Sequence, residues 1–171
     1  MINELRKSIF TSLLGGAVLL ASVSCLSAQR DEEMAQVFNW TLEIAAPDTS
    51  FIPLEGASGW EEPATQANIV CFAVPTLFDR MVNDLDALHS EEGQQVLEKS
   101  TVTFGNIQGT LFLMELAPVA GADMETSYSL MYVQPFESAT LVANAQYPKS
   151  QHERLYAKML AAFATLRKKT E

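Results

Sequence analysis

Histidine, cysteine and basic side chains are all scarce in this chain. Its 171 residues include two histidines and two cysteines. Two cysteines cannot build a disulfide framework, and any histidine-based triad or zinc site would have to use His89 or His152. Eleven basic residues face 21 acidic ones, a formal charge of −10. That balance argues against nucleic-acid binding, because a phosphate backbone must be met by clustered Lys and Arg. Eight glycines and seven prolines are too few for a collagenous or low-complexity chain. No GxSxG, Walker, Rossmann, HExxH or CxxC pattern occurs, so none of the common catalytic frameworks is spelled out. What is present in quantity is apolar, 48% of residues, enough for one globular core at this length.

The one long uncharged stretch lies at the start. Arg6 and Lys7 precede the fifteen-residue run 9–23, and small residues follow it before Arg30 and Asp31. This is the layout of a secretory signal, too short for a spanning helix, which needs roughly 20 apolar residues. Two processing sites compete. Cleavage after Ala28 leaves a soluble chain of residues 29–171. The stretch from Leu20 to Cys25 resembles a bacterial lipobox, in which Cys25 is acylated on sulfur and becomes the new N-terminus. The expected division is a signal peptide over 1–28, a polar lead over 29–36 and one folded domain over 37–169. The expected location is exported, in the periplasm or attached to the outer membrane as a lipoprotein. In either form Cys71 stands alone, and its apolar surroundings in 69–74 read as core.

Charge is unevenly spread. Residues 31–137 hold eighteen acidic side chains and two basic ones, Arg80 and Lys99, whereas 149–171 hold six basic and two acidic. The C-terminal segment is the only basic stretch after the leader; it can complement the acidic body or an anionic envelope surface, and an asymmetry of this size is equally a solubility device.

Apolar periodicity lays out the elements. Phe38, Trp40, Leu42 and Ile44 alternate with polar or small residues, predicting a strand over 37–45. Proline and glycine punctuate 46–65, predicting a loop or irregular edge structure pinned by Phe51, Leu54 and Trp60. Residues 67–74 are apolar on both faces, as in a central strand covered on two sides. Leu77, Phe78, Met81, Val82, Leu85 and Leu88 predict a helix over 77–88. Gly105 and Gly109 allow positive φ and predict one hairpin. Two alternating runs joined through 136–138, with Pro135 as a break, predict a second. Ser150 and Glu153 spell a capping box, predicting a terminal helix over 151–168 with Leu155, Met159, Ala162, Phe163 and Leu166 on its apolar stripe.

The order of these elements resembles the PsbP/DcrB-like (Mog/PsbP) fold. The stretches that carry the resemblance are 38–44, Ser58-Gly59-Trp60, 69–74 entering the helix at Leu77, the 105–109 hairpin, and 140–147 running into the helix through Ser150. The resemblance implies an α+β single domain, an antiparallel sheet of five to six strands flanked by helices as an α/β/α sandwich. It also implies a protein that binds partners and does not catalyse. The metal-associated histidines and basic arm of the photosystem member have no counterpart here, so that role is not carried over.

Candidate functional residues are few. Trp60, Glu61 and Glu62 form the candidate binding surface, an aromatic beside a carboxylate pair that could stack on a ligand, although a loop tryptophan lidding the core explains Trp60 as well. Asp86 and His89 fall on one helical face with Glu91 and Glu92 just beyond, from which a mixed N/O cation site can be drawn; a capped, solvated helix end explains them as well. His152, in a helix's first turn, reads as solvated. No cofactor, metal or catalytic residue is assigned. The leading expectation is a non-enzymatic envelope protein that binds or supports another protein. An immunity or inhibitor protein of an exported toxin, and a metal-dependent enzyme or binding protein using His89, stand as alternatives.

Overall fold

The computed structural model describes residues 40–87, 94–118 and 125–169. Strands β1 (Leu42–Glu43), β2 (Ile52–Pro53), β3 (Gly59–Glu62) and β4 (Ala67–Val74) come first, followed by helix α1 (Phe78–Ala87). Strands β5 (Gln94–Phe104), β6 (Ile107–Leu116), β7 (Ser127–Phe136) and β8 (Ala139–Pro148) follow, then helix α2 (His152–Phe163) and strand β9 (Arg167–Lys168). Seven strands form one sheet in the order β2-β3-β4-β8-β7-β6-β5, and β1 pairs with β9 in a separate two-stranded sheet. Every pairing is antiparallel. The class is α+β in a single domain, as the sequence implies, with more strands than the five to six expected.

Side-chain alternation sends each strand's residues to two faces, and each face has its own helix. On one face Leu130, Tyr132, Leu141, Ala143 and Ala145 pack with Leu155, Met159 and Phe163 of α2. The small side chains of β8 give the helix room to lie close. On the other face Phe112, Met114, Val133 and Val142 pack with Met81 and Leu85 of α1. Leu155, Met159 and Phe163 are almost fully buried, each worth about 1.5–3 kcal/mol relative to exposure. β5 is the long edge strand, blunted by a register shift between Val96 and Glu98 and by Lys99, whose ammonium lies over the Phe112 ring.

Several sequence expectations are corrected here. Of the strand expected over 37–45, only Leu42 and Glu43 form a ladder among the described residues, and they pair with β9. Leu42 and Ile44 are buried while Thr41 and Ala45 are exposed, so the period-two pattern records one buried face and not membership of the main sheet. Within 46–65, expected as loop or irregular edge structure, lie the short strands β2 and β3 at one edge of the sheet; four turn residues, 63–66, join β3 to β4, with Gln66 at φ 62 supplying the left-handed corner. β4 is not covered on both sides: Ala67, Ile69, Cys71 and Ala73 are buried, but Phe72 is 37% exposed, because α1 lies over β7 and β8.

Pro135 does not break β7. The β6 ladder ends at Val133, so proline's missing N–H falls where β8 is the only neighbouring strand. Gly105, at φ 60, opens the two-residue turn between β5 and β6, where glycine suits the first central position. Gly109 has a different role: a Cβ there would stand 2.4 Å from the Tyr132 ring and 2.4 Å from the Val133 carbonyl. That ring makes an edge contact with Phe104 at 5.0 Å and stacks on Phe163 at 6.1 Å.

The capping box does not form. Lys149–Gln151 make a 3₁₀ turn ahead of α2, its N-cap makes no side-chain bond, and Ser150 donates instead to Glu125 at 2.7 Å. The helix stops at Phe163, short of the expected 168, because Arg167 and Lys168 leave to pair with β1. Helix α1 starts one residue later than expected, at Phe78, and Asp86 near its end pairs with Lys99. The signal segment, Cys25, Leu88, His89, Glu91 and Glu92 lie outside the described residues.

Candidate functional site

The three residues singled out for binding sit on β3, whose pairing with β4 sends Trp60 and Glu62 toward the α2 face and Glu61 to the other. Trp60 is half-buried against the core and its Nε1 donates to the Ile44 carbonyl at 2.7 Å. Glu62 is 4% exposed. Its carboxylate accepts both prongs of Arg154, Nη1 at 2.9 Å and Nη2 at 2.5 Å, and a further bond from the Thr65 hydroxyl. Ser50 Oγ stands 2.6 Å from Glu62 and 2.5 Å from Asp48, so its single proton serves one carboxylate at a time. Asp48 in turn pairs with Lys158 at 2.5 Å.

Arg154 and the two hydroxyls hold the Glu62 carboxyl down at about 2, against the opposing effect of burial. Lys158, helped by Ser50, holds Asp48 well below the usual carboxylate range. The network straps the 46–65 segment to α2. Glu62 is therefore committed to the fold, and of the three only Glu61 directs a charge outward.

His152 is likewise engaged rather than solvated. Its ring stacks on Tyr147 at 6.0 Å, meets Tyr128 edge-on at 4.9 Å, and its Nδ1 lies 3.2 Å from the buried Tyr147 hydroxyl. Tyr156 closes the cluster at 5.0 Å. Burial pushes the Cys71 thiol up to about 12, so it stays protonated, donating weakly to the Ser58 carbonyl at 3.4 Å.

One shallow concavity has no counterpart in the sequence patterns. It is an open depression of about 930 Å³ where β1 and β9 meet the β7–β8 turn. Trp40 and Phe136 form its apolar wall, edge to face at 5.5 Å. Glu137, left-handed at φ 51, stands on its rim with Arg167, Lys168 and Lys169. Lys169 N–H donates to the Thr41 carbonyl at 2.8 Å, which locks β9 beside the wall. The Lys168 ammonium lies 4.1 Å from the Trp40 ring centroid, a cation–π contact that holds the charge in the cleft.

Four of the C-terminal cations are spent on the acidic body: Lys149 on Glu115, Arg154 on Glu62, Lys158 on Asp48 and Arg167 on Glu43. Among the described residues, Lys168 and Lys169 have no carboxylate partner. In sequence, only the basic C-terminal run hinted at this site; its other walls come from residues 40–41 and 136–137, which no local motif joins.

No known protein family matches the sequence, and no curated protein matches it. Solved structures do. The chain is similar to PA94, a protein of unknown function from Pseudomonas aeruginosa, with a TM-score of 0.53 and 12% identity over 78% of this chain and 86% of that one. LpqN of Mycobacterium tuberculosis, involved in cell envelope biogenesis, is similar at a TM-score of 0.49 and 15% identity over 75% and 84%. The cyanobacterial PsbP of Synechocystis sp. PCC 6803 is similar at 0.47 and 9% over 87% and 99%. At this identity the likeness to PA94 is one of fold.

Proposed function

We propose that the chain is a non-enzymatic protein of the cell envelope that is exported through its N-terminal segment and works by binding another envelope component. The observation that carries the reading is the cleft, where two lysines that meet no carboxylate among the described residues border an aromatic wall in a chain of formal charge −10. Binding is favoured over catalysis by the state of the buried reactive groups. The Cys71 thiol and the Tyr132 hydroxyl are both pushed up to about 12 by burial, and the buried Glu62 is saturated by donors. None is poised for proton transfer near neutral pH.

The envelope assignment rests on the charged start, the uncharged run over 9–23 and the small residues after it. Intact-mass measurement of the protein from fractionated cells tests it. The expected mass is that of residues 29–171 in the periplasm, or of an acylated chain starting at Cys25 in the membrane fraction. In the second case Cys25→Ala releases the protein from the membrane. A chain still beginning at Met1 in the cytosol contradicts the proposal.

A further inference from the structure

Resting on that reading of the cleft, we infer that its occupant is one molecule of an anionic phospholipid, held by its phosphate at Lys168 and Lys169 and by its glycerol and first acyl carbons against Trp40 and Phe136. The two lysines are the C-terminal cations left without carboxylates among the described residues, so a phosphate meets charge that no described carboxylate neutralises, Lys168 resting only on the Trp40 ring. Arg167, already on Glu43, borders the same rim. Glu137 disfavours a second negative charge and accepts hydrogen bonds, which suits a monoanionic phosphodiester carrying a hydroxylated headgroup. An extended polyanion fits poorly, because the acidic body repels it beyond the reach of two lysines. A volume of about 930 Å³ exceeds a lone phosphate and admits a headgroup with part of its tails. Tryptophan beside lysine is also the side-chain chemistry of a lipid–water interface. Cys25 lies fifteen residues before Trp40, so an acylated chain keeps the cleft within roughly 50 Å of the bilayer.

Tryptophan fluorescence of the full chain tests the inference, because Trp40 and Trp60 are its two tryptophans. The probes are dihexanoylphosphatidylglycerol kept monomeric, the matching phosphatidylcholine, and inorganic phosphate. The expected result is a saturable blue shift with phosphatidylglycerol that is absent in Trp40→Phe. Phosphatidylcholine and inorganic phosphate should each bind at least about tenfold more weakly. Lys168→Gln with Lys169→Gln should weaken phosphatidylglycerol about tenfold while leaving the melting temperature in place. Equal binding of the two lipids, phosphate binding as tightly as phosphatidylglycerol, or an undiminished signal in the double variant overturns it. Failure of every probe with a correctly processed protein removes the lipid and leaves the envelope reading intact; cytosolic, unprocessed protein that still binds phosphatidylglycerol does the reverse.

Discussion

Replacing Arg154 with methionine is expected to destabilise the domain by about 2–3 kcal/mol at neutral pH, a fall of roughly 10 °C in melting temperature. The substitution keeps the side-chain stem and removes the guanidinium, leaving a carboxylate that is 4% exposed with only hydroxyl donors. Breaking a fully buried pair costs about 3–5 kcal/mol. Arg154 is itself 38% exposed, so solvent screening trims the figure.

The loss should also depend on pH, with a sign fixed by the depressed carboxyl. Glu62 titrates at about 2 in the folded chain against an ordinary 4.5. The pair's contribution is therefore complete above 4.5 and disappears as pH falls from 4.5 toward 2. Urea unfolding of the two proteins at pH 7 and pH 3 should show the gap narrowing at the lower value. An equal gap at both values would mean that Glu62 and Arg154 are not coupled.

Gly59→Ala is expected to cost at least about 3 kcal/mol, through overpacking against backbone. A Cβ at Gly59 would stand 2.1 Å from the Ile69 carbonyl oxygen and 3.0 Å from the Val70 Cα, both main-chain atoms of β4. No rotamer change relieves such a clash, so β3 must move away from β4. That motion takes Trp60 from the Ile44 carbonyl and Glu62 from Arg154. Gly56→Ala is the control: its φ of +77 strains alanine, but nothing lies within 4 Å, so about 1 kcal/mol is expected. If chemical denaturation ranks Gly56→Ala as the more harmful change, the close approach of β3 to β4 is wrong.

Legibility in the sequence followed the range of the interactions. Helix α2 was visible because Leu155, Met159, Ala162 and Phe163 repeat locally, and the β5–β6 hairpin because Gly105 supplies its turn. The β1–β9 pair was not, since Glu43 meets Arg167 across more than a hundred intervening residues and each strand has only two. β3 was hidden because Gly59 and Pro63 read as loop punctuation, whereas the glycine marks a close approach of strands. An acidic doublet reads as solvated, and only the return of Arg154 from α2 reveals Glu62 as an internal anchor. His152 looked exposed for the same reason: of its aromatic neighbours only Tyr156 is on its own helix, while Tyr128 and Tyr147 come from β7 and β8. Gly109 and Gly105 were read alike, yet one makes room for a ring and the other turns the chain.

Site-specific photo-crosslinking in intact cells tests most directly whether the domain works by binding at its cleft. A benzophenone amino acid replaces Phe136 on the aromatic wall, and a second chain carries it at Gln95, exposed at the opposite end of edge strand β5, level with Glu115 and Tyr128. The result predicted is an adduct of phospholipid mass from position 136 and none from position 95. No adduct at 136 beyond that at 95 would contradict the cleft as the functional site.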